Sequence, residues 1–113
     1  MLTIEKLTEY GADVKAALEI CMNNEDFYLR MVNLMLQDNQ VENLQKAVAE
    51  GNLDAAFEAA HALKGVTANL GLTPIRIPAT EITELLRART EMDYTELVEE
   101  IKTQKDKLAE LAK

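Results

Sequence analysis

The stretch EAAHALKGVTANLGL, from Glu58 to Leu72, decides how this chain is interpreted, because it predicts one helix with two different faces. Successive side chains are about 100° apart around an α-helix, so each position follows from the residue number. Small and apolar side chains fall within roughly 60° of the side opposite His61, namely Ala56, Ala59, Leu63, Val66, Thr67 and Leu70. This stripe predicts the core face, and His61, the only histidine in the chain, is expected to face outward.

Signals for the ends of helices extend the interpretation in both directions. Asn52 is expected to cap the His61 helix, directly after Gly51 ends the previous one, and Gly71 marks its end. Before Gly51, apolar residues recur at spacings of three and four from Phe27 to Glu50, which predicts one long helix despite the polar residues QDNQ.

The two ends of the chain are also expected to be helical. A helix is predicted from Thr3 to about Met22 with a break at Gly11, and Asn23 or Asn24 caps the next one. Thr73 and Pro74 mark a restart after Gly71, but Pro78 predicts an irregular turn or kink, so the next helix is expected only from about Ala79 to Arg89. Asp93 is expected to cap a last helix with the stripe Leu97, Ile101, Leu108 and Leu111.

Composition agrees with an all-α protein, because good helix formers dominate and no alternating β-branched pattern occurs. The expected fold is an up-and-down antiparallel four-helix bundle with a short additional N-terminal helix. The 113 residues suffice for one domain, residues 1–113, with the bundle core at about 24–112.

Charge and cysteine content narrow the range of partners and compartments. A net charge of −8 opposes nucleic-acid binding, and no apolar run is long enough to span a membrane. Cys21 is the only cysteine, so no disulfide forms within the chain, and no secretory signal is recognisable. A cytoplasmic monomer is expected.

The face around His61 carries residues that suit phosphoryl transfer. Phe57 lies one turn before His61, Lys64 and Gly65 one turn after, and Ala68 two turns after. Glycine inside a helix is unfavourable, so Gly65 suggests a partner that approaches closely, and the ammonium of Lys64 suits phosphate oxygens. Imidazole Nε2 would attack phosphorus.

Simpler interpretations of the same residues remain open. Phe57 can fill the core or contact a partner, and Gly71 can be a helix C-cap or a packing position.

Gln37 is a candidate acceptor for the Nδ1–H of His61. With a single histidine and a distant cysteine, no metal site is expected.

The segment HALKGVTANLG resembles the signature of histidine-containing phosphotransfer (HPt) domains. In these domains a histidine is followed by lysine at +3 and glycines at +4 and +10, which match Lys64, Gly65 and Gly71. The resemblance spans roughly Asp26 to Arg89. Val66 and Thr67 stand where Ser or Ala is frequent in the family, and Pro78 where it usually has regular helix.

The resemblance implies a four-helix bundle in which His61 accepts a phosphoryl group from a receiver-domain aspartate and passes it on. Response-regulator receivers and hybrid histidine kinases are the implied partners. On this chain, we expect Phe57, Ala68 and Gly71 to be the docking residues. Mg²⁺ is expected on the receiver, and no cofactor on this chain.

Two other functions compete with this interpretation. A helical interaction protein could keep the HPt shape and only bind or sequester a receiver domain, and a dimer could build a larger phosphotransferase bundle. No P-loop or kinase glycine loop is present, so no autonomous kinase activity is expected.

Overall fold

The computed structural model describes all residues 1–113 and contains only helices as regular structure, which confirms the all-α class. The seven helices are α1 (Ile4–Tyr10), α2 (Val14–Ile20), α3 (Glu25–Gln37), α4 (Gln40–Ala49), α5 (Leu53–Asn69), α6 (Thr73–Arg87) and α7 (Thr95–Leu111). None of them is long and apolar enough to cross a membrane.

Local capping explains most of the helix ends and confirms most of the sequence predictions. Gly11 ends α1 with φ of 108°, in the left-handed region. The side chains of Asn24 and Asn52 accept backbone N–H groups at the starts of α3 and α5. The N-cap of α7 is Tyr94 instead of the predicted Asp93, but Asp93 accepts the backbone N–H of Thr95 at 2.9 Å, and hydrogen bonds from Thr95 lower the pKa of its carboxyl.

The prediction of one helix from Phe27 to Glu50 is wrong, because the chain leaves the helical conformation at Asp38. The backbone there is extended, with ψ of 151°, and the Asp38 carboxylate accepts the N–H of Gln40 at 2.8 Å. Lys105 of α7 donates to the Asp38 carbonyl at 3.0 Å. The break is therefore stabilised from within the turn and from α7.

The irregular turn predicted over Pro74 to Pro78 is also wrong, because α6 runs without interruption from Thr73 to Arg87. Pro78 lies near the start of α6, where it removes one backbone donor. It is buried together with Ile75, Ala79 and Ile82. This burial offsets the missing hydrogen bond, so the helix begins six residues before the expected Ala79.

Helices α4 to α7 form a ring of packed neighbours, since α5 contacts α4 and α6, while α7 contacts α6 and α4. Contacts of Lys64 with Glu84 and of Asp54 with Arg89 show that α5 and α6 run antiparallel. A single hydrophobic core extends from Leu2 to Leu108 and takes residues from all seven helices. The expected helical bundle is therefore present.

The two N-terminal helices are built into this bundle at the turn between α5 and α6. Gly71 has φ of +63°, and a Cβ there would lie 2.4 Å from the carbonyl oxygen of Asp13. The N–H of Asp13 donates to the Gly71 carbonyl at 2.7 Å. Tyr10 donates to the carbonyl of Gln104 in α7 at 2.9 Å. Residues before α3 thus fix the position of the α5–α6 turn.

Candidate functional site

His61 lies in the middle of α5 with its side chain exposed, as the sequence predicted. The opposite face of α5 is buried at Ala56, Ala59, Leu63, Thr67 and Leu70, while Val66 is half-buried. No side chain or backbone group of the protein hydrogen-bonds to either ring nitrogen of His61. Both nitrogens are therefore free to react or to accept a partner.

The imidazole ring rests on the phenyl ring of Phe57, one turn earlier. The two ring centroids are 5.6 Å apart and the planes differ by 18°, an offset-stacked arrangement. The guanidinium carbon of Arg87, on α6, lies 5.1 Å from the centroid of Phe57. Phe57 is half-buried and also packs against the core. The expected core role is therefore present together with the stack on His61, and contact of Phe57 with a partner stays a prediction.

Lys64 does not project freely beside His61, because its ammonium is paired with Glu84 of α6 at 3.0 Å. Glu84 also accepts from Nε of Arg87 at 3.3 Å. The hydrogen bond from Lys64, with a further contribution from Arg87, lowers the pKa of the Glu84 carboxyl. One carboxylate thus pairs with both Lys64, one helical turn after His61, and Arg87, which lies against the stacked phenyl ring.

Gly65 faces open space, and a Cβ added there would meet no atom within 4 Å. Ala62 and Ala68 on the same part of α5 are exposed. No packing contact within the protein explains why a helix interior should carry glycine at this position. This part of the surface beside His61 therefore carries only small side chains and is open to an approaching molecule.

The sequence also assigned site roles to Gln37, Gly71 and Ala68. Gln37 is the exposed last residue of α3 and makes no hydrogen bond to His61, so its role in orienting the imidazole stays a prediction. Gly71 is buried against Asp13, which gives it a structural role, and its docking role stays a prediction. Ala68 is exposed two turns beyond His61, and its docking role stays a prediction.

Sequence reasoning missed Glu84 and Arg87, which α6 brings to the His61 face. Counting residues from the turn at residues 70–72 does not pair Lys64 with Glu84, because Glu84 lies about twice as far from the turn along the chain as Lys64 does. The expected irregular segment up to Pro78 hid this pairing, because it left the register of α6 relative to α5 undefined.

Taken together, the site offers an exposed nucleophilic nitrogen, a nearby open surface and two cations. Imidazole nitrogen can form a covalent bond to phosphorus, and ammonium and guanidinium groups stabilise phosphoryl oxygens. The Glu84 carboxylate is occupied by both cations. The arrangement suits a group that accepts and releases a phosphoryl group on the surface of the protein.

Comparison with known proteins agrees with a site for phosphoryl transfer. The family model of the Hpt domain matches residues 30–111, which includes α4 to α7 entirely and most of α3. No curated protein and no solved structure gives a significant match. The match covers well over half of the chain and includes His61 with its flanking residues, and the chain therefore belongs to the Hpt domain family.

Proposed function

We propose that the protein is a reversible phosphoryl carrier that accepts a phosphoryl group on His61 from the phosphorylated aspartate of a receiver domain. Membership of the Hpt family implies histidine phosphotransfer in a phosphorelay in general terms. The proposal adds the acceptor residue, and the partners, which are a response-regulator receiver and a hybrid histidine kinase.

One observation carries the proposal, namely the exposed His61 ring with both nitrogens unbonded beside the open surface at Gly65. An inert surface histidine would need no clearance next to it. A histidine that must meet a partner's aspartyl phosphate needs both a free ring nitrogen and room for the partner's surface.

The transfer step moves one phosphoryl group between two proteins. Nε2 of the neutral His61 ring attacks phosphorus, the P–N bond forms, and the bond to the aspartate oxygen breaks. The receiver aspartate leaves as a free carboxylate, and Nδ1–H stays on the ring. Reversal of the same step passes the group to a second receiver. Mg²⁺ belongs to the receiver, where it neutralises the phosphoryl charge.

Phe57, Ala62 and Ala68 would lie under the docked receiver, with Phe57 holding the ring and the alanines offering a flat contact. We further propose that α4 to α7 form an up-and-down antiparallel bundle within one domain of residues 1–113, and that the protein acts as a cytoplasmic monomer. Sedimentation of the purified protein tests the last point.

The function is tested by incubating the protein with receiver domains of its host that carry radiolabelled phosphate on aspartate. We expect acid-labile label to move to the wild-type protein and not to His61→Gln. Acid-stable label, or no label from any receiver, would contradict the proposal. A receiver that binds both forms without transfer would instead support the rival function, a helical protein that sequesters receivers.

A further inference from the structure

We infer that Glu84 sets how tightly the phosphoryl group is held, by competing with it for the cations of Lys64 and Arg87. The inference rests on the proposed function. It assigns a role to Glu84 of α6, which does not itself accept the phosphoryl group. Its basis is the network that joins Glu84 to both cations and, through Phe57, to His61.

In the unphosphorylated protein, Glu84 satisfies both cations. Its Oε1 accepts from Lys64 at 3.0 Å and its Oε2 accepts from Arg87 at 3.3 Å, so each carboxylate oxygen has one partner. The pairing is exposed, since about half of the side-chain surface of Glu84 is accessible. Exposed pairs of this kind are weak and exchange readily.

A phosphoryl group on His61 changes this balance. It places up to two negative charges on the ring, one helical turn from Lys64. The flexible stem of Lys64 lets its ammonium turn from Glu84 toward the phosphoryl oxygens. Arg87, already against the phenyl ring that supports the imidazole, is the second available cation. Each cation that turns to the phosphoryl group leaves the Glu84 carboxylate without that partner.

The consequence is a weaker hold on the phosphoryl group than Lys64 and Arg87 would give alone. A carrier that must pass its group onward benefits from this, because an over-stabilised phosphohistidine would retain it. Glu84 is thus a positioning residue that acts through Lys64 and Arg87. It has no contact with the reacting nitrogen.

The test measures how label distributes at equilibrium between a receiver and His61. We expect Glu84→Gln to raise the ratio of phosphorylated His61 to phosphorylated receiver by about two- to fivefold, the range expected for exposed ion pairs. Glu81→Gln is the matched control, since Glu81 lies exposed on the same helix without an ion pair and should leave the ratio unchanged. High salt should reduce the effect of Glu84→Gln.

A combined variant separates this role from a merely structural one. With Lys64→Gln and Arg87→Gln both present, adding Glu84→Gln should no longer raise the ratio. The inference is overturned if Glu84→Gln leaves the ratio unchanged or lowers it, if Glu81→Gln raises it equally, or if the rise persists without the two cations. Absence of label on the wild type would instead count against the proposed function, so the two failures are distinguishable.

Discussion

At the scale of single residues, a substitution at Gly65 should affect stability and phosphoryl transfer in opposite directions. A Cβ at this position meets no atom of the protein, so Gly65→Ala should raise the free energy of unfolding by about 0.5 to 1 kcal/mol. The same methyl group lies where a receiver would approach, so the rate of phosphoryl transfer should fall. Urea unfolding and the transfer assay measure the two effects.

Gly51→Ala is the matched control for this prediction. Gly51 also has open space around it, but its φ of +70° makes alanine strained there, so this variant should lose stability and keep its transfer rate. If Gly65→Ala transferred phosphate as fast as the wild type, the close approach of a partner at this point would be wrong.

Phe57 offers a second test at the same scale, because its ring is the only group of the protein that the His61 ring is stacked on. Phe57→Leu removes the stack and leaves an apolar side chain, so we expect transfer to slow several-fold through loss of ring orientation. Phe57→Tyr keeps the ring and should retain most of the rate. Equal rates for both variants would show that stacking does not position the imidazole.

At the scale of helices, Lys105 holds the break between α3 and α4. Its side chain is nearly buried, and Nζ donates to the Asp38 carbonyl and lies 3.6 Å from Glu42. Lys105→Met keeps the apolar stem but removes the charged donor. We expect a loss of about 1.5 to 3 kcal/mol in the free energy of unfolding, measured with urea.

Lys102→Met is the control on the same helix. Lys102 pairs only with Asp106 one turn away, and both side chains are well exposed. Its loss should change the unfolding free energy by about 0.5 kcal/mol or less. Similar losses in the two lysine variants would mean that the contact with Asp38 does not stabilise the break.

The helices show what the sequence could and could not predict. The caps at Asn24 and Asn52 and the two faces of α5 follow from local chemistry and helical periodicity, and both were predicted. The break at Asp38 is contacted by Lys105, 67 residues away, and Pro78 is buried within a continuous α6, and neither contact can be inferred from local sequence. The link from Lys64 to Glu84 needed the register between two helices, which no local pattern contains.

At the scale of the whole molecule, stability at high pH depends on buried tyrosines. Tyr28 donates its hydroxyl to the Leu70 carbonyl at 2.8 Å, and burial, with smaller contributions from Cys21 and Asp13, raises its pKa from 10.0 to about 12. Burial also raises the pKa of Tyr10. Because the folded state favours the protonated phenol, this stabilisation is complete below pH 10 and lost as pH rises toward 12.

Urea unfolding of the wild type and Tyr28→Phe at pH about 8 and about 11 measures the contribution of Tyr28. Tyr28→Phe should be less stable than the wild type by about 1 kcal/mol at the lower pH, through loss of the hydrogen bond. The difference should shrink at the higher pH, where the wild type has to keep a buried phenol protonated. A difference that stays constant would show that Tyr28 titrates normally.

The contact between Gly71 and Asp13 determines where the domain can be truncated without loss of structure. The family match begins at residue 30, so a natural choice for a shortened version would start there. Such a trimmed chain would lose the donor to the Gly71 carbonyl and uncover apolar side chains now covered by Leu7 and Ala17. Exposed apolar surface promotes aggregation of the protein. Aggregates of a trimmed chain would then be mistaken for a natural dimer.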